Sequence, residues 1–183
     1  DNCGYSALLV NIHETSTGVH YSMNLLSEFC KNNNMLFIVD AISSFLADEL
    51  DMKNNNIDVI ITGSQKALAC PPGVSIIALS KRTIDLVYKN DFRCLYLNIK
   101  NAIENGKRGQ TPFTPAVGIL RQINARLKEI KLNGGVNSEI EKTKDLADYF
   151  RRGIKDLPLE FVTKNPSNAV TSLRPINGNA YDI

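Results

Sequence analysis

The chain has 183 residues and a formal net charge of +2, with 43% hydrophobic and 22% charged residues. This length allows one domain with a core of its own, or one domain and part of a second. The small net charge gives no sign of a nucleic-acid partner. No apolar run approaches the roughly 20 residues that a membrane-spanning helix needs.

The first half of the chain predicts a mostly parallel sheet. Four short apolar runs, residues 7–12, 36–39, 59–62 and 74–79, are typical of buried strands, and residues 21–32 have the spacing of an amphipathic helix. Strand, helix and strand in this order predict a parallel βαβ unit. The connection between the third and fourth runs is short and contains Pro71-Pro72-Gly73. It leaves too little room for a crossover helix, so we expect the fourth strand to run antiparallel to the third.

The second half of the chain predicts mainly helices. Residues 81–90 favour a short helix, residues 91–114 an irregular segment, and residues 115–131 a helix with Pro115 in its first turn. A further helix is predicted for residues 138–155, with Ile140, Leu146, Phe150 and Ile154 on one side. Residues 159–163 and 169–175 favour strands of a smaller domain. Both ends of the sequence are abrupt, so we expect a piece of a longer protein.

The four cysteines, Cys3, Cys30, Cys70 and Cys94, do not occur in C-x-x-C pairs. The spacing therefore predicts neither a zinc site nor a disulfide framework. His13 and His20 are the only histidines, and their spacing matches no zinc motif. We expect reduced thiols in a cytoplasmic protein without a bound metal.

Asp40 and Lys66 are the residues most indicative of chemistry. Each follows a predicted strand, and ligands of open α/β sheets bind at the carboxyl ends of the strands. Asp40 alone would more often cap a helix, and Lys66 alone would more often extend into water. Together at one sheet edge, Asp40 and Lys66 indicate a binding site for a cofactor. A lysine amine can form a Schiff base with an aldehyde cofactor, and a carboxylate can bond a pyridine nitrogen. Pyridoxal phosphate needs both.

Three motifs carry a resemblance to a known family. They are the turn His13-Glu14-Thr15-Ser16-Thr17-Gly18-Val19, the run Ile38-Val39-Asp40-Ala41-Ile42-Ser43-Ser44, and Gly63-Ser64-Gln65-Lys66-Ala67-Leu68 followed by Pro71-Pro72-Gly73. Their order and spacing resemble the class V aminotransferases, in particular the alanine–glyoxylate and serine–pyruvate branch. The resemblance implies an α/β fold with three αβα layers. Residues 1–130 would be the C-terminal part of the large cofactor-binding domain, and residues 131–183 the beginning of a small α+β domain.

The resemblance also implies roles for individual residues in the first half of the chain. Lys66 would bond the cofactor, pyridoxal 5'-phosphate, and move the proton during transamination. Asp40 would bond the pyridine nitrogen, and Thr15 the side of the ring that carries the phenolic oxygen. Ile42 would pack against a ring face, and Gln65 would contact the phosphate.

One threonine implies a second subunit, and another departs from the family pattern. Thr114 resembles the threonine that reaches the phosphate of the neighbouring subunit's cofactor, so the resemblance implies a homodimer. Relatives often have a tyrosine where Thr111 stands.

The family's small-residue phosphate loop and its stacking aromatic would precede residue 1, and its carboxylate-binding arginine would follow residue 183. Arg174 does not match that arginine by position.

The expected activity is transfer of an amino group from an amino acid to a 2-oxo acid, either glyoxylate or pyruvate. A 2-aminoethylphosphonate–pyruvate transaminase is a close alternative, because residues 40–45 match its pattern. A cysteine desulfurase fits less well, since those proteins usually carry a histidine where Gln65 stands. A nucleotide-binding domain lacks support, because no G-x-G-x-x-G or Walker loop follows a predicted strand. A further alternative is that the chain on its own is an inactive folded fragment.

Overall fold

The computed structural model describes residues 4–179. The first part contains strand β1 (Ala7–Asn11), the short strands β2 (His13–Glu14) and β3 (Val19–His20), helix α1 (Met23–Asn32), and strands β4 (Leu36–Asp40), β5 (Val59–Gly63) and β6 (Ser75–Leu79). The second part contains helices α2 (Lys81–Lys89), α3 (Ile99–Lys107), α4 (Val117–Leu132) and α5 (Gly135–Gly153), and strands β7 (Leu159–Phe161) and β8 (Leu173–Pro175).

The main sheet has the predicted topology. Its strand order is β1-β4-β5-β6, with β1, β4 and β5 parallel and β6 antiparallel to β5. The two central strands are largely buried, as predicted. The prediction of full burial is wrong for β1 and β6, because they are edge strands with one face open among the described residues. Leu9 on β1 is 67% exposed.

Two hydrophobic clusters lie beside the sheet. The first joins α1 to the alternating positions Phe37 and Val39 of β4 and to Ile60 of β5. The second joins Leu68 and Cys70, which follow β5, to Ile123 and Ile130 of α4. Alternation along β4 is the expected result of the two-residue period of a strand. The mostly parallel sheet with helices packed against it confirms the predicted α/β class.

A buried carboxylate, that of Asp58, accepts hydrogen bonds at the edge of the sheet where β4 and β5 begin. Asp58 accepts a hydrogen bond from the Phe37 N–H at 3.1 Å and another from the Ser80 hydroxyl at 2.8 Å. The Arg82 guanidinium lies 3.8 Å away. Burying an unpaired carboxylate is costly, so these donors are what allow Asp58 to lie there. Ser80 also caps α2 by accepting from the Thr83 N–H.

The prediction of an irregular segment at residues 91–114 is wrong, because it contains α3. Asn98 caps this helix by accepting from the Asn101 N–H at 2.9 Å. A tertiary contact also holds it, since the Tyr88 hydroxyl of α2 donates to Glu104, and Lys107 donates to Tyr88. The capping asparagine is visible in the sequence, but the contact with α2 depends on the fold.

The remaining helices begin at slightly different residues from those predicted. Pro115 precedes α4 instead of lying in its first turn. Gly134, at φ +99°, separates α4 from α5, which begins at Gly135. On α5 the buried residue is Ala147, whereas Leu146 is 66% exposed. Strands β7 and β8 pair antiparallel over three residues each, shorter than predicted. Within residues 4–179, none of the helices combines the length and the apolar character that a membrane span requires.

Candidate functional site

The carboxyl ends of the parallel strands bring the predicted residues of the first half of the chain to one edge of the sheet. The strand register aligns Asn11 of β1 with Asp40 of β4, and Asp40 with Ile61 of β5. One oxygen of Asp40, Oδ1, accepts a hydrogen bond from the Ile42 N–H at 2.9 Å. The other carboxylate oxygen has no hydrogen-bond partner among the described residues. Asp40 therefore stabilises the turn that follows β4 and still has an oxygen available for a ligand.

Thr15 lies on the turn between β2 and β3 and is connected to the segment after β4. The Thr15 and Ser43 hydroxyl oxygens are 2.7 Å apart. The Nδ1 atom of buried His13 lies 3.0 Å from the Ser43 carbonyl oxygen, and because a carbonyl can only accept, Nδ1 carries the hydrogen. These two contacts fix the Thr15 hydroxyl relative to Ile42 and Ser43. The turn is also stabilised by Ser16, whose hydroxyl and N–H bond Glu14 and lower the pKa of that carboxyl group.

Lys66 lies on a tight loop that starts where β5 ends. Ser64, which is fully buried, donates its hydroxyl hydrogen to the Pro71 carbonyl, and its own carbonyl accepts from Cys70. The Lys66 carbonyl accepts from the Ala69 N–H at 2.8 Å. Within residues 4–179 the Lys66 ammonium makes no hydrogen bond or ion pair, and the side chain is exposed. The loop is thus held by its backbone while the amine stays free.

Gln65 folds back over the end of β5. A Cβ atom placed on Gly63 would lie 2.5 Å from the Gln65 side-chain oxygen, so a larger residue at position 63 would displace the end of the Gln65 side chain. Ile42, in the loop after β4, is half-buried. The two predicted cofactor contacts therefore follow adjacent strands, β5 and β4.

A cavity of about 440 Å³ lies at this edge and contains Lys66. Thr15 and Ser43 line it, so the structure brings two elements of the predicted site together with the lysine. The other lining residues are Leu46, Ala47, Ala67, Arg126, Glu139, Thr143, Ala169 and Val170. Arg126 of α4 and Glu139 of α5 form an ion pair in the wall.

Thr111 and Thr114 do not line this cavity. They border a separate groove together with Phe113 and Leu120. The Thr111 hydroxyl donates to the Phe113 carbonyl at 2.6 Å, which leaves only its acceptor lone pairs for another partner. Both threonines lie apart from Lys66 within one chain, an arrangement compatible with contact to another subunit.

The described residues fit a pyridine-aldehyde cofactor. The cavity offers a free primary amine and a hydroxyl group. Asp40 does not line the cavity; it ends strand β4 at the same edge of the sheet and has an unengaged carboxylate oxygen. Among residues 4–179, no three histidine, cysteine, aspartate or glutamate side chains are arranged to hold a metal ion.

Sequence reasoning missed several residues of the site. Ser43 was part of a recognised motif, but nothing in the sequence indicates that its hydroxyl meets Thr15. Arg126, Glu139 and Thr143 lie on helices that reach the cavity only through tertiary packing. Their helical spacing predicts a solvated face, and no local pattern distinguishes them from other polar helix residues.

Comparisons with known proteins agree on one family. A model of the family described as aminotransferase class-V matches residues 4–182. An uncharacterized aminotransferase of Methanocaldococcus jannaschii is 33% identical over 169 residues, covering 90% of this chain and 43% of that protein. The alanine–glyoxylate aminotransferase of Oryctolagus cuniculus is 29% identical over 163 residues, covering 84% of this chain and 41% of that protein.

The structural similarity is also high. The crystal structure of an aspartate aminotransferase of subgroup IV from Thermus thermophilus superposes with a TM-score of 0.85 at 28% identity. The match covers 93% of this chain and 48% of that one. The chain thus spans less than half the length of each of these proteins.

Proposed function

Since the chain belongs to the aminotransferase class-V family, we propose that its protein transfers an amino group from an amino acid to a 2-oxo acid, with Lys66 bonding pyridoxal 5'-phosphate. The observation that carries the proposal is the cavity in which Thr15, Ser43 and Lys66 meet. Glyoxylate or pyruvate is the proposed acceptor, and the similarity to the alanine–glyoxylate aminotransferase of Oryctolagus cuniculus supports glyoxylate.

The proposed roles come from the family resemblance, and the positions of the side chains at the sheet edge support them. When bound, pyridoxal phosphate supplies an aldehyde for the lysine and a ring that accepts electrons. The Lys66 amine would bond the cofactor aldehyde and, once the amino group of the substrate has replaced it there, would move a proton between the substrate and the cofactor. The unengaged oxygen of Asp40 would bond the ring nitrogen and keep that nitrogen protonated. Thr15, oriented by Ser43, bonds the phenolic side of the ring.

Other residues complete the proposed cofactor site. Ile42 packs against a ring face and Gln65 contacts the phosphate. Thr114, with a contribution from Thr111, reaches the phosphate of a neighbouring subunit in a homodimer. The separate groove that holds both threonines supports this, because within one chain they lie outside the Lys66 cavity.

We also propose that the chain contains parts of two domains. Residues 1–130 belong to the large cofactor-binding domain and residues 131–183 to the start of the small one. The thiols, without paired spacing, support a cytoplasmic location.

Spectroscopy of the full-length protein tests the proposal. Purified protein mixed with pyridoxal phosphate should show an absorbance band of the lysine-bound cofactor, and Lys66→Ala should abolish it. Lys81→Ala is the control, because Lys81 is an exposed lysine paired with Asp85 on α2. A band that survives in Lys66→Ala and depends on another lysine would overturn the assignment.

Activity measurements then address the substrates. Transamination should be measured with several amino donors against glyoxylate and pyruvate. Including 2-aminoethylphosphonate as a donor separates the alternative transaminase. Absence of turnover with every 2-oxo acid, in protein that carries the cofactor, would contradict the proposed reaction.

A further inference from the structure

The turn that carries Thr15 is bonded to a segment far along the chain. We call this contact the seam; it joins residues 15–20 to residues 165–172. Across it, the His20 N–H donates to the Asn165 carbonyl, and the Ser167 N–H donates to the Gly18 carbonyl, each at 2.9 Å. Val19 and Pro166 also form an antiparallel bridge. The seam therefore connects a predicted cofactor residue with a distant part of the sequence.

Ser167 is the central residue of the seam. It is fully buried, and both its backbone groups and its hydroxyl are engaged. Its hydroxyl donates to Asp48 Oδ2 at 2.6 Å and accepts from the Ala169 N–H at 3.0 Å. Its carbonyl accepts from the Arg151 guanidinium of α5 at 2.5 Å. One residue thus links the turn, the segment after β4, and α5.

Asp48 is the charged group that holds this arrangement. It is 7% exposed, and besides the Ser167 hydroxyl it accepts from the Asn168 N–H at 2.9 Å. The nearest ring nitrogen of His20 lies 4.0 Å from its carboxylate. Hydrogen bonds to a carboxylate are among the stronger ones, and an unpaired buried carboxylate would be costly. Residues 167 and 168 are therefore strongly held in position by Asp48.

The residues that follow form part of the cavity wall. Ala169 and Val170 line the cavity that contains Lys66, and Ala47, next to Asp48, lines it too. The Ala47 carbonyl accepts from the Asn168 side chain at 2.9 Å. Because two hydrogen bonds to Asp48 fix the chain immediately before Ala169, they also fix how closely this wall approaches the lysine.

We infer that Asp48 is a positioning residue for substrate binding: through Ser167 and Asn168 it sets the wall at Ala169 and Val170 against the Thr15 turn. The inference rests on the proposed function of the cavity. The Lys66 backbone, the Asp40 carboxylate and the Thr15 hydroxyl each make hydrogen bonds that do not include Asp48, so loss of Asp48 should loosen the wall while leaving these cofactor groups in place. The expected effect is on substrate affinity more than on the chemical step.

The chain offers a closely matched control. Asp58 is also 7% exposed and also accepts one backbone N–H and one serine hydroxyl, but it lies at the opposite edge of the sheet. Asp48→Asn and Asp58→Asn remove the same charge from equally buried sites with the same donor types. Only Asp48→Asn should change the position of the cavity wall.

The first measurement needs no cofactor. In the full-length protein without added pyridoxal phosphate, amide hydrogen exchange should become faster in residues 165–172 for Asp48→Asn. In Asp58→Asn the faster exchange should instead appear around residues 36–40. Equal exchange of residues 165–172 in Asp48→Asn and the parent protein would overturn the inference, whatever the enzyme's activity.

The second measurement uses the cofactor-loaded full-length enzyme. Asp48→Asn should raise KM for the amino donor about fivefold or more, with kcat changed less than about twofold and the cofactor band unaltered. Ser167→Ala, which removes a single hydroxyl, should give the same direction of change if Asp48→Asn folds poorly. A KM equal to that of Asp58→Asn, or a fall in kcat alone, would overturn the inference. Absence of the cofactor band in the parent protein would instead refute the proposed function and leave the exchange result to decide on Asp48.

Discussion

Gly18 provides a stringent test of the seam, because its backbone and its surroundings both exclude a side chain. Its φ is +70°, a conformation that costs a residue with a Cβ atom about 1–2 kcal/mol. A Cβ atom there would lie 3.2 Å from the Val170 carbonyl oxygen and 3.3 Å from the Ser172 hydroxyl. The first neighbour is backbone held by the seam, so the overpacking adds to the strain. Gly18→Ala should lower the free energy of unfolding by at least about 2 kcal/mol, roughly a thirtyfold change in the folded-to-unfolded ratio.

Urea denaturation of the full-length protein measures this change. Gly153→Ala is the matched control, since a Cβ atom at Gly153 meets nothing within 4 Å and its φ lies outside the left-handed region. That substitution should be neutral or stabilising by up to about 1 kcal/mol. Equal unfolding free energies for Gly18→Ala and Gly153→Ala would refute the close contact between the Thr15 turn and residues 170–172.

Two further predictions concern the core and the pH dependence of stability. Phe37 is fully buried in the first cluster, so Phe37→Ala should lower the free energy of unfolding by about 3–5 kcal/mol in the same urea experiment, and a loss below about 1 kcal/mol would contradict that packing. Burial lowers the pKa of His20, with nearby His13 acting in the same direction and Asp48 opposing both. The unfolded chain therefore binds a proton that the folded chain resists, and stability should fall as the pH drops below about 6.5. His20→Gln should reduce this slope, and an unchanged slope would contradict the assignment to His20.

The sequence predicted the position of a strand in the sheet well where the strand's own composition determines whether it is buried. Residues 36–39 and 59–62 are apolar on both faces, and they form the two central strands. The reversal of β6 followed from the length of its connection. The exposed face of β1 could not be predicted in this way, because Leu8, Leu9 and Val10 look the same whether or not a neighbouring element covers them. Helix α3 was missed since its contacts with Tyr88 come from a different helix.

In the candidate site too, residues next to strand ends could be placed from the sequence, whereas contacts between distant residues could not. Asp40 and Lys66 could be placed at one edge because Asp40 ends β4, Lys66 follows β5 after two intervening residues, and parallel strands end together. The hydroxyl contact between Thr15 and Ser43 joins residues 28 positions apart, and the contact between Asp48 and Ser167 joins residues 119 apart. Such pairs have no local sequence pattern, because the fold alone determines which polar groups meet. The chemical roles of these residues stay predictions.

The assignment of Lys66 is tested most directly by trapping the cofactor on the protein. Full-length protein mixed with pyridoxal phosphate is reduced with borohydride, digested and analysed by mass spectrometry, so that the modified lysine is identified. We expect the phosphopyridoxyl group on the peptide that contains Lys66, because that amine is free and lies in the cavity with Thr15 and Ser43. Modification confined to other lysines, with the Lys66 peptide recovered unmodified, would contradict the account.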